Sequence, residues 1–155
     1  MENILKGFAL RIVLTLGTFT YLPSLHLDKH YYLLLPVLLT VLDFTDNVLT
    51  HIFTSNIQYL ANSRFYQLRD KIIDSLSYLL AWYVFNLDPI FLYVVLYRLI
   101  GVYGYYQTNN KKMFVFFPDV FKEFLFLSGF KLDNTIYGCV VILKMVFEYF
   151  LHVYL

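Results

Sequence analysis

Two pairs of aspartates stand at helical spacing inside apolar stretches of the chain. Asp43 and Asp46 lie three residues apart, and Asp70 and Asp74 lie four apart. Residues at these spacings share one face of a helix, about 5 to 6 Å apart at Cβ. Each pair can therefore present two carboxylates to a single site. Carboxylates so placed bind hard divalent cations through oxygen, or take a proton from a reacting hydroxyl group.

The composition is that of a membrane protein. Of the 155 residues, 59% are hydrophobic and 15% are charged, whereas soluble domains have about 45 to 50% apolar and about 25% charged residues. The net charge of +1 and the lack of a basic tract argue against nucleic-acid binding. The single cysteine excludes an intramolecular disulfide and a cysteine metal cluster. We expect one integral membrane domain over residues 1–155.

Long apolar stretches predict an all-α fold, a polytopic membrane bundle of about six transmembrane helices. A helix needs about 20 residues to cross the hydrocarbon layer. Arg11 interrupts the first apolar stretch and no small-residue cleavage site follows, so this stretch is interpreted as a retained helix rather than a signal peptide. The fifth stretch contains Pro118 and Asp119, and a helix lying in the membrane interface is the alternative there. The six candidate spans are residues 5–22, 31–50, 68–86, 89–106, 113–130 and 135–154.

The basic residues near the span ends set the expected orientation. Most of them fall on one side of the six-span topology, and Lys29 and Lys131 fall on the other. Because basic residues are enriched in cytoplasmic connections, we expect a multi-pass protein whose N-terminus and acidic pairs face the cytoplasm. The residues on the majority side are Lys6, Arg11, Arg64, Arg69, Lys71, Lys111 and Lys112.

Counting along the second and third spans places the two acidic pairs at one level. Asp43 is twelve residues from Tyr31, and Asp74 is twelve residues from Asn86. At 1.5 Å per residue, both lie about 18 Å from the outer end of their helix. Converging carboxylates repel one another, so a compensating cation is expected, and Mg²⁺ or Mn²⁺ suits an all-oxygen site better than zinc. The alternative is a second helix that ends at Leu42 and leaves the first pair in water.

The same aspartates resemble a family signature. An apolar helix ending in Asp-x2-Asp, followed by Asp-x3-Asp at the start of the next helix, resembles the CDP-alcohol phosphotransferase family, whose signature is D-x2-D-G-x2-A-R-x8-9-G-x3-D-x3-D. The resemblance covers residues 33–85, and the expected helix number agrees with it. The chain departs from the signature in its small and basic positions. Asn47, Thr50, His51 and Tyr66 stand where the signature has Gly, Ala, Arg and Gly.

The resemblance implies an activity and assigns roles to the aspartates. Asp43, Asp46 and Asp70 would be ligands of Mg²⁺ or Mn²⁺, and Asp74 would take a proton from the attacking alcohol and share in metal binding. The reaction would move a phosphatidyl-type group from a CDP-linked lipid to a small alcohol, with release of CMP. The expected partners are the lipid bilayer and these two substrates, and a homodimer is compatible with this interpretation.

Two arginines are candidates for substrate binding. Arg64 precedes the third span and could supply the positive charge that the signature arginine would otherwise provide. Arg98 falls near the middle of the fourth span, where an unpaired cation is costly. It could pair with a cluster aspartate or a substrate phosphate, or with Glu148 on another helix.

The alternative function is a non-enzymatic multi-pass membrane protein, either a cation pathway or a membrane scaffold. A channel would need polar residues along several helices, and outside the aspartates the spans offer few.

Overall fold

A computed structural model describes residues 2–21, 31–53, 63–130 and 132–151. These residues form helices joined by short connections and contain no strand, so the all-α prediction is confirmed for this part of the chain. Five helices are long and two are short. They are α1 (Glu2–Tyr21), α2 (Tyr31–Phe53), α3 (Arg64–Val84), α4 (Pro89–Thr108), α5 (Lys112–Phe116), α6 (Phe121–Ser128) and α7 (Asn134–Tyr149).

Capping residues define the hairpin of α3 and α4. Ser63 is the N-cap of α3, and its side chain accepts a hydrogen bond from the backbone N–H of Tyr66 at 3.2 Å. Asp88 caps α4 in the same way through the N–H of Ile90 at 2.9 Å, with Pro89 at the first helical position. These side chains satisfy N–H groups that the first turn of a helix leaves without a partner. The short connection makes α3 and α4 antiparallel neighbours, which pack closely together.

The fifth candidate span is not one helix. Residues 113–130 are divided between α5 and α6, and the break lies at Phe117 and Pro118. Phe117 has φ −124° and ψ 64°, outside the helical region. A residue before proline is disfavoured in the helical conformation because it clashes with the proline ring. The prediction of a continuous helix across 113–130 was therefore wrong.

The core joins α2, α3, α4 and α6. Buried side chains from these four helices form one cluster, which Phe19 of α1 joins. Each large apolar side chain in it contributes about 1.5 to 3 kcal/mol of burial free energy. Helix α1 packs mainly on α2 and less closely on α3. This arrangement holds α1, α2 and α3 side by side. The buried members that face one another include Leu35, Leu39, Ala81, Val95 and Leu125.

Large apolar side chains cover much of the outer surface. Val13, Val37 and Leu143 are 64%, 58% and 68% exposed, on three different helices. Within the described ranges, α4 is the one helix with both the length and the apolar character needed to cross a bilayer. Two further apolar helical stretches, Ala9–Tyr21 and Leu33–Thr45, are shorter.

Candidate functional site

Three of the four predicted aspartates come together. Asp43 lies on α2, and Asp70 and Asp74 lie one turn apart on α3. One carboxylate oxygen from each lies within 4.8 Å of the other two. Their side chains become progressively less exposed, at 35% for Asp43, 20% for Asp70 and 7% for Asp74. We call these three residues the acidic cluster.

The fourth aspartate is placed only by its backbone. Asp46 lies in α2 one turn beyond Asp43, and its side chain lies outside the described part of the structure. Helix α2 continues through both aspartates to Phe53. The alternative in which the second helix ends at Leu42 was therefore wrong.

Arg11 of α1 reaches into the acidic cluster and contacts all three carboxylates. Its Nη1 donates to Oδ1 of Asp70 at 3.2 Å, and its Nη2 donates to Oδ1 of Asp43 at 3.3 Å. A third, short contact joins Nη2 to Oδ1 of Asp74. The arginine side chain is only 3% exposed. One guanidinium thus links α1 to both acidic helices.

Two lysines complete the compensation of charge. Lys71 Nζ lies 3.0 Å from Oδ2 of Asp70, and Lys122 Nζ lies 2.9 Å from Oδ2 of Asp43. Three carboxylates therefore face three cations, Arg11 and the two lysines. This balance matters because carboxylates without partners would repel strongly in a low-dielectric setting.

The donor set of the acidic cluster also suits a hard divalent cation. Mg²⁺ and Ca²⁺ take oxygen ligands at about 2.0 to 2.6 Å. Three carboxylate oxygens within 4.8 Å of one another are close to that requirement. The cluster could hold a metal ion, although the guanidinium of Arg11 lies against the same three carboxylates.

The two predicted substrate-binding arginines lie elsewhere. Arg64 is exposed, donates to the backbone carbonyl of Tyr106 and lies over its ring at 5.6 Å. Arg98 is buried and donates to the carbonyl of Phe117 at 2.7 Å, with its guanidinium 4.9 Å from the ring centre of Phe114. Both satisfy carbonyl groups near helix ends, which lack a partner within the helix.

A buried polar contact lies one turn beyond the acidic cluster on α3. The hydroxyl of Tyr78 donates to Oδ2 of Asp119 at 2.7 Å, and the Tyr78 ring stacks on Phe121 at 4.5 Å. The second oxygen of Asp119 is buried and has no hydrogen-bond partner among the described residues. Because Asp119 lies two residues before Phe121, the first residue of α6, this contact fixes the start of the helix that carries Lys122.

Comparison with protein families, curated proteins and solved structures gave no match of any of the three kinds. The interpretation of the site therefore rests on its geometry and on the spacing of its aspartates.

Sequence reasoning missed Arg11 and Lys122 as members of the site. Arg11 was used only to argue for a retained first helix and for the orientation of the spans, and Lys122 lay in the uncertain fifth span. One signal in the sequence could have identified Arg11. The carboxylates were expected to need positive charge beside them, and Arg11 is an arginine inside an apolar stretch.

Proposed function

We propose that the chain is a multi-pass membrane enzyme of phospholipid synthesis, of the CDP-alcohol phosphotransferase type. It would transfer a phosphatidyl-type group from a CDP-linked lipid to a small alcohol and release CMP. The observation that carries the proposal is the convergence of Asp43 from α2 with Asp70 and Asp74 from α3. Three of the four aspartates that the resemblance singles out, from successive helices, lie together.

A membrane location is supported by the surface and by α4. The exposed apolar side chains on α1, α2 and α7 would be favourable against lipid. We propose a topology of about six membrane segments, with the N-terminus and the acidic cluster on the cytoplasmic side. In this topology the segment of α5 and α6 enters the membrane as a broken helix whose polar groups face the protein interior.

The proposed reaction is a displacement at phosphorus. The hydroxyl oxygen of the alcohol forms a bond to the lipid-bearing phosphorus, and the bond from that phosphorus to the oxygen of CMP breaks. CMP leaves with the electron pair, and the hydroxyl proton passes to the carboxylate of Asp74. A divalent ion, Mg²⁺ or Mn²⁺, would supply positive charge to the phosphoryl oxygens. Asp43, Asp70 and, by resemblance, Asp46 would hold it, with Asp74 sharing in the ligand set.

The burial of Asp74 suits the role of general base. It is the least exposed carboxylate of the acidic cluster, and a carboxylate shielded from water can accept a proton from a bound hydroxyl without competition from solvent. Arg64 and Arg98 each donate a hydrogen bond to a backbone carbonyl. Metal binding and proton transfer are therefore assigned to the aspartates.

The test is a transfer assay on the full chain in lipid nanodiscs. Labelled CDP-diacylglycerol would be incubated with Mn²⁺ and a panel of small alcohols, and CMP release and labelled lipid would be measured. Asp74→Asn should lower the rate by about 10² to 10⁴-fold, the usual contribution of a general base. Asp88→Asn is the matched control, because Asp88 is an exposed capping residue of α4.

Two results would contradict the proposal. One is equal transfer by wild type and Asp74→Asn. The other is a wild-type protein that binds Mn²⁺ but releases no CMP with any alcohol.

A second candidate is a non-enzymatic membrane protein, and the charge balance of the site favours it. Three carboxylates matched by Arg11, Lys71 and Lys122 could serve as a buried polar core that holds α1, α2 and α3 in register. In a scaffold, Asp74→Asn would change stability, and no lipid product would form with either protein. A cation pathway would instead show ion flux across proteoliposomes that Asp70→Asn alters.

A further inference from the structure

Arg11 occupies the position in the acidic cluster that a bound cation would need. Its two terminal nitrogens contact an oxygen of each carboxylate, and the side chain is almost fully shielded from water. An ion that coordinates all three carboxylates must sit between them. A guanidinium and a divalent ion placed together there would repel each other at short distance in a poorly solvated setting.

We infer that Arg11 is the resident cation of the acidic cluster and that a divalent metal binds only when Arg11 leaves, so that α1 acts as a switch. This inference rests on the proposed function for the metal, and it adds a means of regulation to that site. In the closed state the carboxylates are neutralised by Arg11 and the two lysines. In the open state the metal replaces the guanidinium.

The packing of α1 gives it room to move. A groove of about 560 Å³ lies between α1 and α3 and is lined by Ile12, Leu16, Ile72 and Leu76 among other, mostly apolar, side chains. Ile12 directly follows Arg11 on α1, and Ile72 and Leu76 lie on either side of Asp74 in the sequence of α3. Close-packed interiors resist displacement, whereas a helix beside an open groove can shift with little loss of contact.

Thr15 provides a second sign that α1 has an alternative position. It lies one turn beyond Arg11, it is 4% exposed, and its hydroxyl has no hydrogen-bond partner among the described residues. It also lines the groove toward α3. A buried hydroxyl without a partner is unfavourable. Because Thr15 and Arg11 lie one turn apart on α1, a displacement of α1 that withdraws Arg11 would change the surroundings of Thr15 at the same time.

The first test compares Mn²⁺ affinity in nanodiscs by the loss of the free-ion electron paramagnetic resonance signal. Arg11→Gln should bind Mn²⁺ about 5- to 150-fold more tightly than wild type, the usual range for coupling between two equilibria. The control is Lys71→Gln, which removes one positive charge but contacts one carboxylate of the acidic cluster. Its gain in affinity should be clearly smaller.

The second test uses the wild-type arginine and so does not depend on the folding of the Arg11 variant. Val13 on α1 and Tyr93 on α4 are 64% and 66% exposed, and both would be changed to cysteine in a Cys139→Ser background and spin-labelled. Diamagnetic Mg²⁺ should shift the distance between the labels by about 1 to 2 Å or more, as helix shifts commonly do. Asp70→Asn should abolish the shift.

The outcomes separate this inference from the proposed function. Equal Mn²⁺ affinity in wild type and Arg11→Gln, an equal gain in Lys71→Gln, or bound metal with unchanged label distances would overturn the switch and leave the transferase proposal in place. Tighter Mn²⁺ binding by Arg11→Gln together with a metal-dependent change in label distance would support the switch. If no CMP is released as well, the same results would refute the transferase proposal. If neither protein binds Mn²⁺, the switch and the metal-dependent reaction both fail.

Discussion

Replacement of Arg11 by glutamine should strongly destabilise the fold, and the structure allows the magnitude to be worked out. Asp43 and Asp70 each keep a lysine partner when Arg11 is lost. Asp74 has its ion pair with Arg11 and no other among the described residues, and its side chain is 7% exposed. One buried carboxylate is thus left without a direct ion pair. Removal of one partner from a buried ion pair costs about 3 to 5 kcal/mol.

The assay is thermal unfolding of the purified protein in detergent, followed by the circular dichroism of its helices. For a chain of this size, 1 kcal/mol corresponds to about 2 to 4 °C in Tm. The expected loss is therefore about 6 to 20 °C, measured without divalent ions so that no metal can replace the guanidinium.

A double-mutant cycle tests the cause of this loss. Asp74→Asn removes the charge that has lost its ion pair, so the double variant with Arg11→Gln should be more stable than the sum of the single effects by about 1 to 3 kcal/mol. The control cycle pairs Arg11→Gln with Asp88→Asn, whose residue lies at the start of α4. That pair should be additive within about 0.5 kcal/mol. A loss below about 1 kcal/mol for Arg11→Gln, or additivity with Asp74→Asn, would refute the assignment of Arg11 as the principal counter-ion of Asp74.

Three further changes and one control variant test the packing that positions the acidic cluster, each by the same unfolding assay. Tyr78→Phe keeps the ring stack but leaves the buried Asp119 without its 2.7 Å donor, and should cost about 1 to 3 kcal/mol; an unchanged Tm would mean that water replaces the hydroxyl. Gly101→Ala would put a Cβ 2.4 Å from the Cβ of Phe117 and should cost about 1 to 3 kcal/mol of folding stability. Its control is Gly138→Ala, which should be neutral or slightly stabilising because nothing lies within 4 Å of the added Cβ. Ser63→Ala removes the N-cap of α3 and should cost about 1 kcal/mol; no loss would show that the cap is dispensable.

The helices could be predicted well where apolar stretches end in strong local signals. The predicted third and fourth spans are separated at residues 86–89, where Asn, Asp and Pro favour a connection. The structure has its connection there, with Asn86 at φ 47° and Asp88 as the cap of α4. Boundaries were less accurate where the signal was weaker. Helix α3 begins at Arg64, four residues before the predicted start, because Ser63 caps a polar first turn that hydropathy alone does not detect.

The fifth stretch shows the limit of hydropathy. Its apolar residues are sufficient for a span, but backbone geometry at Phe117 and Pro118 divides it. The break is stabilised at long range, since Arg98 of α4 donates to the carbonyl of Phe117. A contact between residues 19 positions apart has no local signature. The role of Arg98 at this break therefore could not be predicted, although the cost of its burial indicated that it must have a partner.

The acidic cluster was predictable to the extent that helical geometry determines it. Spacings of three and four residues place each pair on one face, and opposite helix directions bring Asp43 and Asp74 to one depth. The identity of the compensating cation was not determined by those spacings, because it comes from a third helix. The inferred need for positive charge was correct, and the structure meets it with Arg11.

The same counting, applied to the first span, would have found that residue. Arg11 is eleven residues from Leu22, the predicted outer end of the first helix. At 1.5 Å per residue this is about 16 Å, close to the 18 Å or so of Asp43 and Asp74. An arginine at the depth of a carboxylate cluster is the least costly way to neutralise the carboxylates, because neither charge is then buried without a partner. In a bundle of apolar helices, a buried site is therefore found more reliably by comparing the depths of charged residues on all spans. The spacing of charged residues within one helix is the weaker guide. By the same reasoning, a metal ion in this acidic cluster must compete with a cation that the fold already supplies.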